Sequence, residues 1–181
     1  MRYMPPKRPE LLEFSALCDL YRHFERLFLN GHASSHEFVS ASGQTIKVFD
    51  HHFFHMVKLD HPNLPKRLLM ADEKGTITAT ISGFGGYAYD KHRAIYLASA
   101  ILCLRCPDEV WEDLSLRTAR WIYIRAFDAK PYAFTIFLVG ERDGGAVPVT
   151  SFAAKIRDAK KWRRGVRIYP KNTSATLKGG R

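Results

Sequence analysis

Cysteine is scarce in this chain. Cys18, Cys103 and Cys106 are the whole complement, too few and too uneven for a disulfide framework, which fits a reducing compartment. No apolar run approaches the ~20 residues of a transmembrane helix, so no membrane association is expected. The opening MRYMPPKRPE lacks the apolar core of a signal peptide, and a cytoplasmic site of action is the expectation. Gly83, Gly85 and Gly86 form neither GxGxxG nor a P-loop, and no GK[ST] follows them. They are expected to make a flexible turn presenting Tyr87 and Tyr89. There is no HExxH, and Cys103-Leu-Arg-Cys106 has no second pair to make a zinc site. These two cysteines are expected in the core.

Acid is the other shortage, and it is local. The chain has 28 Lys and Arg against 18 Asp and Glu, a net charge of +10. Residues 151–181 hold ten basic side chains and one acid, Asp158, so nearly all the excess is one block. Such a block attracts phosphates through counterion release. Trp162, Ile168 and Tyr169 interleave the charge, as on a folded nucleic-acid-binding surface rather than a solvated tail.

The hydrophobic pattern predicts a mixed α+β fold. Residues 9–30 place Leu11, Leu12, Phe14, Leu17, Tyr21, Phe24 and Phe28 on one helical face, with Asn30-Gly31 as the stop. Residues 37–50 predict a hairpin around Ala41-Ser42-Gly43-Gln44. His51 and His55, four apart, would share a helical face. Asp50, Asp60 or His61 could complete a metal set, but a short amphipathic helix built on Phe53, Phe54, Met56 and Leu59 explains the spacing as well, and no metal is expected. Residues 68–70 and 76–81 suggest two short strands. The most definite helix is expected from the N-cap Asp90 to Pro107, with one further helical turn at 108–111. Strands are expected at 120–126, at 133–139, which is nearly all apolar and so central, and at 146–152. A basic helix at 153–161 and a strand at 166–169 would follow, then a disordered tail at 172–181.

An Asp-Lys-His-Arg helix start, an apolar helix running into Cys-Pro-Asp-Glu-Val-Trp, hairpin strands, a strand ending in Val149-Thr150-Ser151, and Arg163-Arg164-Gly165 leading to Ile168-Tyr169 stand in this order. The arrangement resembles the phage and polymorphic-toxin members of the barnase–EndoU–colicin–RelE nuclease superfamily (BECR). The likeness covers about residues 86–171. Residues 1–85 are expected to be part of the same domain or an appendage. The resemblance implies a helical N-terminal region and a small antiparallel sheet packed on a central helix. It also implies RNA cleavage without metal or cofactor, RNA (transfer RNA included) as the substrate, and a cognate immunity protein or antitoxin as a partner.

Metal-free RNA cleavage needs a base for the 2′-hydroxyl, an acid for the 5′-oxygen, and donors that hold the charge on the phosphate. His92 is the natural proton carrier, because histidine titrates near neutrality. Thr150 and Ser151 at a strand end offer hydroxyls and N–H groups, and Arg120 offers charge. Lys91, Arg93, Lys160, Lys161, Arg163 and Arg164 are candidate phosphate ligands. Tyr123 and Tyr169 are candidates for base stacking or proton transfer. No second acid or base is marked by spacing. The expected function is a metal-independent endoribonuclease. The rivals are a basic nucleic-acid-binding protein without catalysis and a protein-interaction domain with a basic tail.

Overall fold

The computed structural model describes residues 8–13, 17–31, 34–58, 90–115 and 120–169. The strands expected at 68–70 and 76–81, the glycine-rich turn with Tyr87 and Tyr89, and the tail from 172 lie outside them. Helix α1 (Leu17–Phe24) continues as a π-helical turn, Glu25–Leu29, and stops at Asn30 and Gly31, both at positive φ. The expected start was too early. Residues 8–13 are irregular, and the Leu12 N–H donates to the Ile95 carbonyl (2.8 Å). Strands β1 (Ser35–Val39) and β2 (Thr45–Phe49) form the expected hairpin, with Gly43 at φ 89° in its turn. Helix α2 (His52–Met56) follows.

The central helix comes in two pieces, α3 (Lys91–Ile95) and α4 (Leu97–Arg105), with a turn at Tyr96 between them. After Pro107 the chain does not make a helical turn. Residues 109–112 form strand β3 (Glu109–Glu112). Val110 and Trp111 suit a pleated surface better than a helix, and they pair with Tyr123 and Ile122 of β4 (Trp121–Ala126). Strands β5 (Phe134–Arg142) and β6 (Gly145–Ala154) make a long hairpin. Asp143 and Gly144 both take positive φ in its two-residue turn, the geometry that matches strand twist. The basic segment supplies α5 (Ile156–Ala159), a 3-10 turn (Lys160–Trp162) and β7 (Val166–Tyr169).

The seven strands of the described residues form one sheet in the order β1-β2-β6-β5-β4-β3-β7. The apolar strand β5 is indeed central. Every pairing is antiparallel except β2 with β6, which is parallel and touches only at Ile46 and Ala146. The sheet is therefore larger than the sequence suggested, and it takes in the first hairpin. One face buries Ile46, Val48, Val110, Tyr123, Phe137 and Val139 with Tyr21, Phe24, Phe28, Leu97, Ile101 and Leu104 of the helices. The other face carries a smaller cluster, Ile122, Ile124, Ile136, Leu138 and Ala154, covered by half-buried Trp111, Phe134, Phe152 and Trp162. Among the described residues no helix is long and apolar enough to cross a membrane.

Candidate active site

The start of α3 is built by Asp90. Its carboxylate Oδ1 accepts from the His92 N–H (3.0 Å) and the Arg93 N–H (3.2 Å), an N-cap that closes two otherwise orphaned donors. A phosphate would find those donors already taken. What the turn presents is therefore its side chains. The Arg93 guanidinium has Nε 3.5 Å from Asp90 Oδ2, and its Nη1 donates to Thr150 Oγ1 (2.6 Å). It also sits 5.6 Å from the centre of the Phe152 ring. Thr150 and Phe152 alternate with buried Ser151 along β6, so Arg93 reaches the face with the smaller apolar cluster.

His92 lies beside two tyrosines. Its ring is 4.1 Å from the Tyr132 ring and 4.9 Å from the Tyr96 ring, centre to centre. Lys155 places its ammonium 5.6 Å from the Tyr132 ring. The pairing of Phe134 with Ala154 explains this convergence, because Tyr132 precedes β5 and Lys155 follows β6 at the same end of the hairpin. His92 Nε2 is buried and has no hydrogen-bond partner among the described residues. An orphaned buried nitrogen costs about 1–3 kcal/mol.

Beyond Phe152, cations and rings alternate. Phe152 packs on Trp162 (5.2 Å), Arg164 lies 5.7 Å from the Trp162 ring, and Arg163 lies 5.5 Å from Phe134. Arg163 also grips Glu109 through both Nε and Nη2, each 2.9 Å from a carboxylate oxygen. Burial alone would lift the Glu109 carboxyl, but Arg163 and the Trp111 indole N–H outweigh it and hold the carboxyl below the usual carboxylate range. Arg164 stands 3.8 Å from Asp113. Lys160 and Lys161 are exposed on the 3-10 turn, with Lys161 3.2 Å from Asp158. Lys91 is exposed on α3.

Of the residues singled out in the sequence, the fold joins Arg93 to Thr150 and sets His92 next to Arg93 in the same turn. It does not bring Arg120 to them. Arg120 precedes β4, and β5 lies between β4 and β6. Its guanidinium is held by Glu112 (2.9 Å) and Glu141 and lies over Trp121. Thr150 and Ser151 are not at a strand end, because β6 runs on to Ala154. The alternation of the strand turns Ser151 into the buried face opposite Phe137. Tyr123 is fully buried in the larger core, where its hydroxyl bonds Ser40, Ser42 and Gln44, each at 2.9 Å. No base can stack on it there. Tyr169 is half-buried on the edge strand β7, paired with Val110. Tyr132, Tyr96, Lys155 and Phe152 carried no signal that distinguishes them in the sequence. Strand register alone assembles them.

Among the described residues no group of three or more His, Cys, Asp or Glu is placed to hold a metal. His51 Nδ1 is 3.7 Å from Asp50 Oδ1, His52 is buried and accepts from the Phe49 N–H, and Asp60 and His61 lie outside the described residues. Cys103 is buried and Cys106 half-buried, both as free thiols.

Comparison with curated proteins and with solved structures found no match. The model of one protein family matches residues 40–170, a span that starts in the first hairpin and ends one residue past β7. The chain belongs to that family, PBECR2, the phage-Barnase-EndoU-ColicinE5/D-RelE like nuclease2 family.

Proposed function

We propose that this nuclease is a metal-independent endoribonuclease, toxin-like or phage-derived. The observation that carries the reading is the Arg93–Thr150 hydrogen bond beside an imidazole whose Nε2 has no partner among the described residues. In the proposed reaction, His92 takes the proton of the 2′-hydroxyl. The 2′-oxygen then bonds to phosphorus as the bond from phosphorus to the 5′-oxygen breaks. Arg93 and the Thr150 hydroxyl hold the charge that builds on the phosphate oxygens. Tyr132 supplies a proton to the departing 5′-oxygen and regains one from the imidazolium, which restores both groups. Lys155 adds positive charge at the same end of the hairpin. The products are a 2′,3′-cyclic phosphate and a free 5′-hydroxyl.

The row of Phe152, Trp162, Phe134 and Arg164 suits a single strand, since rings stack bases and a cation can follow the phosphates. That row also supports the second reading, a nucleic-acid binder without catalysis. A toxin-like nuclease of this kind would act in the cytoplasm, on transfer RNA or another RNA, and would be restrained by an immunity protein or antitoxin. Cleavage of unmodified RNA distinguishes the two readings, and a single 2′-deoxy substitution tests the mechanism. RNA carrying it at the cut position should bind as before and resist cleavage. Equal cleavage of the deoxy substrate would rule out attack by the 2′-hydroxyl.

A further inference from the structure

A cavity of about 500 Å³ opens between β2 and the β5–β6 turn, lined in part by Lys47, Phe49, Asp50, His51, Arg142 and Val147. Its place on the sheet follows from register. Ile46 and Ala146 pair with each other and point into the larger core, so Lys47, Phe49 and Val147 face the other way. Val147 pairs with Gly140 and Thr150 with Leu138. The register shift between Leu138 and Val139 makes Val149 an extra residue, which returns Val147 and Thr150 to one face. The cavity therefore opens on the face that Arg93 and Thr150 share. It begins about 10 Å further along β6, a span that a single strand covers in a few nucleotides.

Its chemistry is that of a nucleotide. Phe49 and His51 are stacked on one another, 5.4 Å apart at 17°, an aromatic pair whose outer face can extend the stack to a base. Lys47 stands 5.2 Å from the Phe49 ring. Its ion pair with Glu37 (3.3 Å) and that of Arg142 with Asp143 (3.7 Å) are exposed surface pairs, which bind weakly enough to be exchanged for a phosphate. Asp50 is buried at 4% exposure. Its Oδ1 accepts from the His51 N–H (2.6 Å), and its Oδ2 has no hydrogen-bond partner among the described residues. A pocket for a bare anion would not include a carboxylate. A base edge carrying N–H groups answers it.

We propose that this cavity is a subsite for a nucleotide of the substrate strand, remote from the scissile phosphate. The base rests on Phe49 and His51, and its phosphate meets Lys47 and Arg142. The proposal rests on the endoribonuclease reading only for the identity of the strand as RNA.

The test is fluorescence anisotropy with 2′-O-methyl RNA, which has no 2′-hydroxyl to react, as a dinucleotide and as an octanucleotide. Wild type should bind the octanucleotide at least about tenfold more tightly than the dinucleotide. Lys47→Gln/Arg142→Gln and, separately, Phe49→Leu should reduce that advantage to about threefold or less, with thermal midpoints checking the fold. Two results overturn the subsite: an advantage that persists in both variants, or none in wild type. A length advantage that depends on Lys47 and Arg142, in a protein that cuts no RNA, keeps the subsite and removes the endoribonuclease. Cleavage by a protein whose variants bind both lengths as wild type does removes only the subsite.

Discussion

Arg93 Nη1 lies 2.6 Å from Thr150 Oγ1, and this hydrogen bond ties the turn that carries His92 to the middle of β6. If the pair holds the phosphate, its members act as one unit. Arg93→Ala should lower kcat about a hundredfold, and Thr150→Val about tenfold. The double variant should lose little more than Arg93→Ala alone. Steady-state kinetics on an RNA oligonucleotide give the cycle. Fully multiplicative losses would mean that the two side chains work apart.

The basic segment divides into structural and phosphate-binding members. Arg163 is neutralised by Glu109 and packed on Phe134, so Arg163→Ala should cost about 1–3 kcal/mol of stability and change the salt dependence of RNA binding little. Lys160 and Lys161 are exposed. Replacing both with Gln should reduce the slope of log K against log salt by about 0.7 for each phosphate that is no longer neutralised. Denaturant titration and binding across a salt series separate the two effects.

Of the described glycines, Gly165 is the one least able to accept a side chain. It takes φ 81°, and a Cβ there would collide with the Glu112 carbonyl oxygen. Gly165→Ala should destabilise by about 2 kcal/mol or more, because backbone must move rather than a side-chain end. The loss should appear as a lower thermal midpoint and weaker protection of β7 amides in hydrogen exchange.

Stability should fall on mild acidification, and His52 supplies the reason. Burial first, then the nearby His51, His55 and Arg142, push its imidazole down to about 3, and Nδ1 accepts from the Phe49 N–H (2.9 Å). The unfolded chain, with histidine near 6.5, binds the proton more readily. The stabilisation is complete above about pH 6.5 and is lost progressively as pH falls toward 3. His52→Asn keeps an acceptor but does not titrate. Urea midpoints between pH 4 and 7 should vary less in that variant than in wild type. An unchanged pH profile would place the acid sensitivity elsewhere.

Much of the fold was legible because local chemistry and tertiary pairing agreed. Asn30-Gly31 ends the first helix, Gly43 turns the first hairpin, Asp90 caps α3, and the apolar β5 lies at the sheet's centre. The misses arose where tertiary pairing decided. Glu109–Glu112 follows a proline that suits a helix start, yet β4 and β7 recruit it as a strand. The parallel meeting of β2 and β6 rests on the single pair Ile46 and Ala146, which leaves no periodic mark in the chain.

The candidate site was legible in its first helical turn and not in its surroundings. His92 and Arg93 stand out as a basic pair behind a capping aspartate. Thr150 stands out only as one hydroxyl beside another, and the side each faces depends on the register of β6. Tyr132 and Lys155 are separated by 23 positions and meet because Phe134 pairs with Ala154. Arg120 looked available until the fold supplied Glu112 and Glu141.

Cleavage of end-labelled RNA in EDTA, by wild type and by His92→Ala, tests the central claim most directly. Wild type should cut and leave 2′,3′-cyclic phosphate ends. His92→Ala should be slower by about a hundredfold or more, with the fold retained as a cooperative thermal transition. Undiminished cleavage by His92→Ala, or wild-type cleavage that stops in EDTA, would contradict the account.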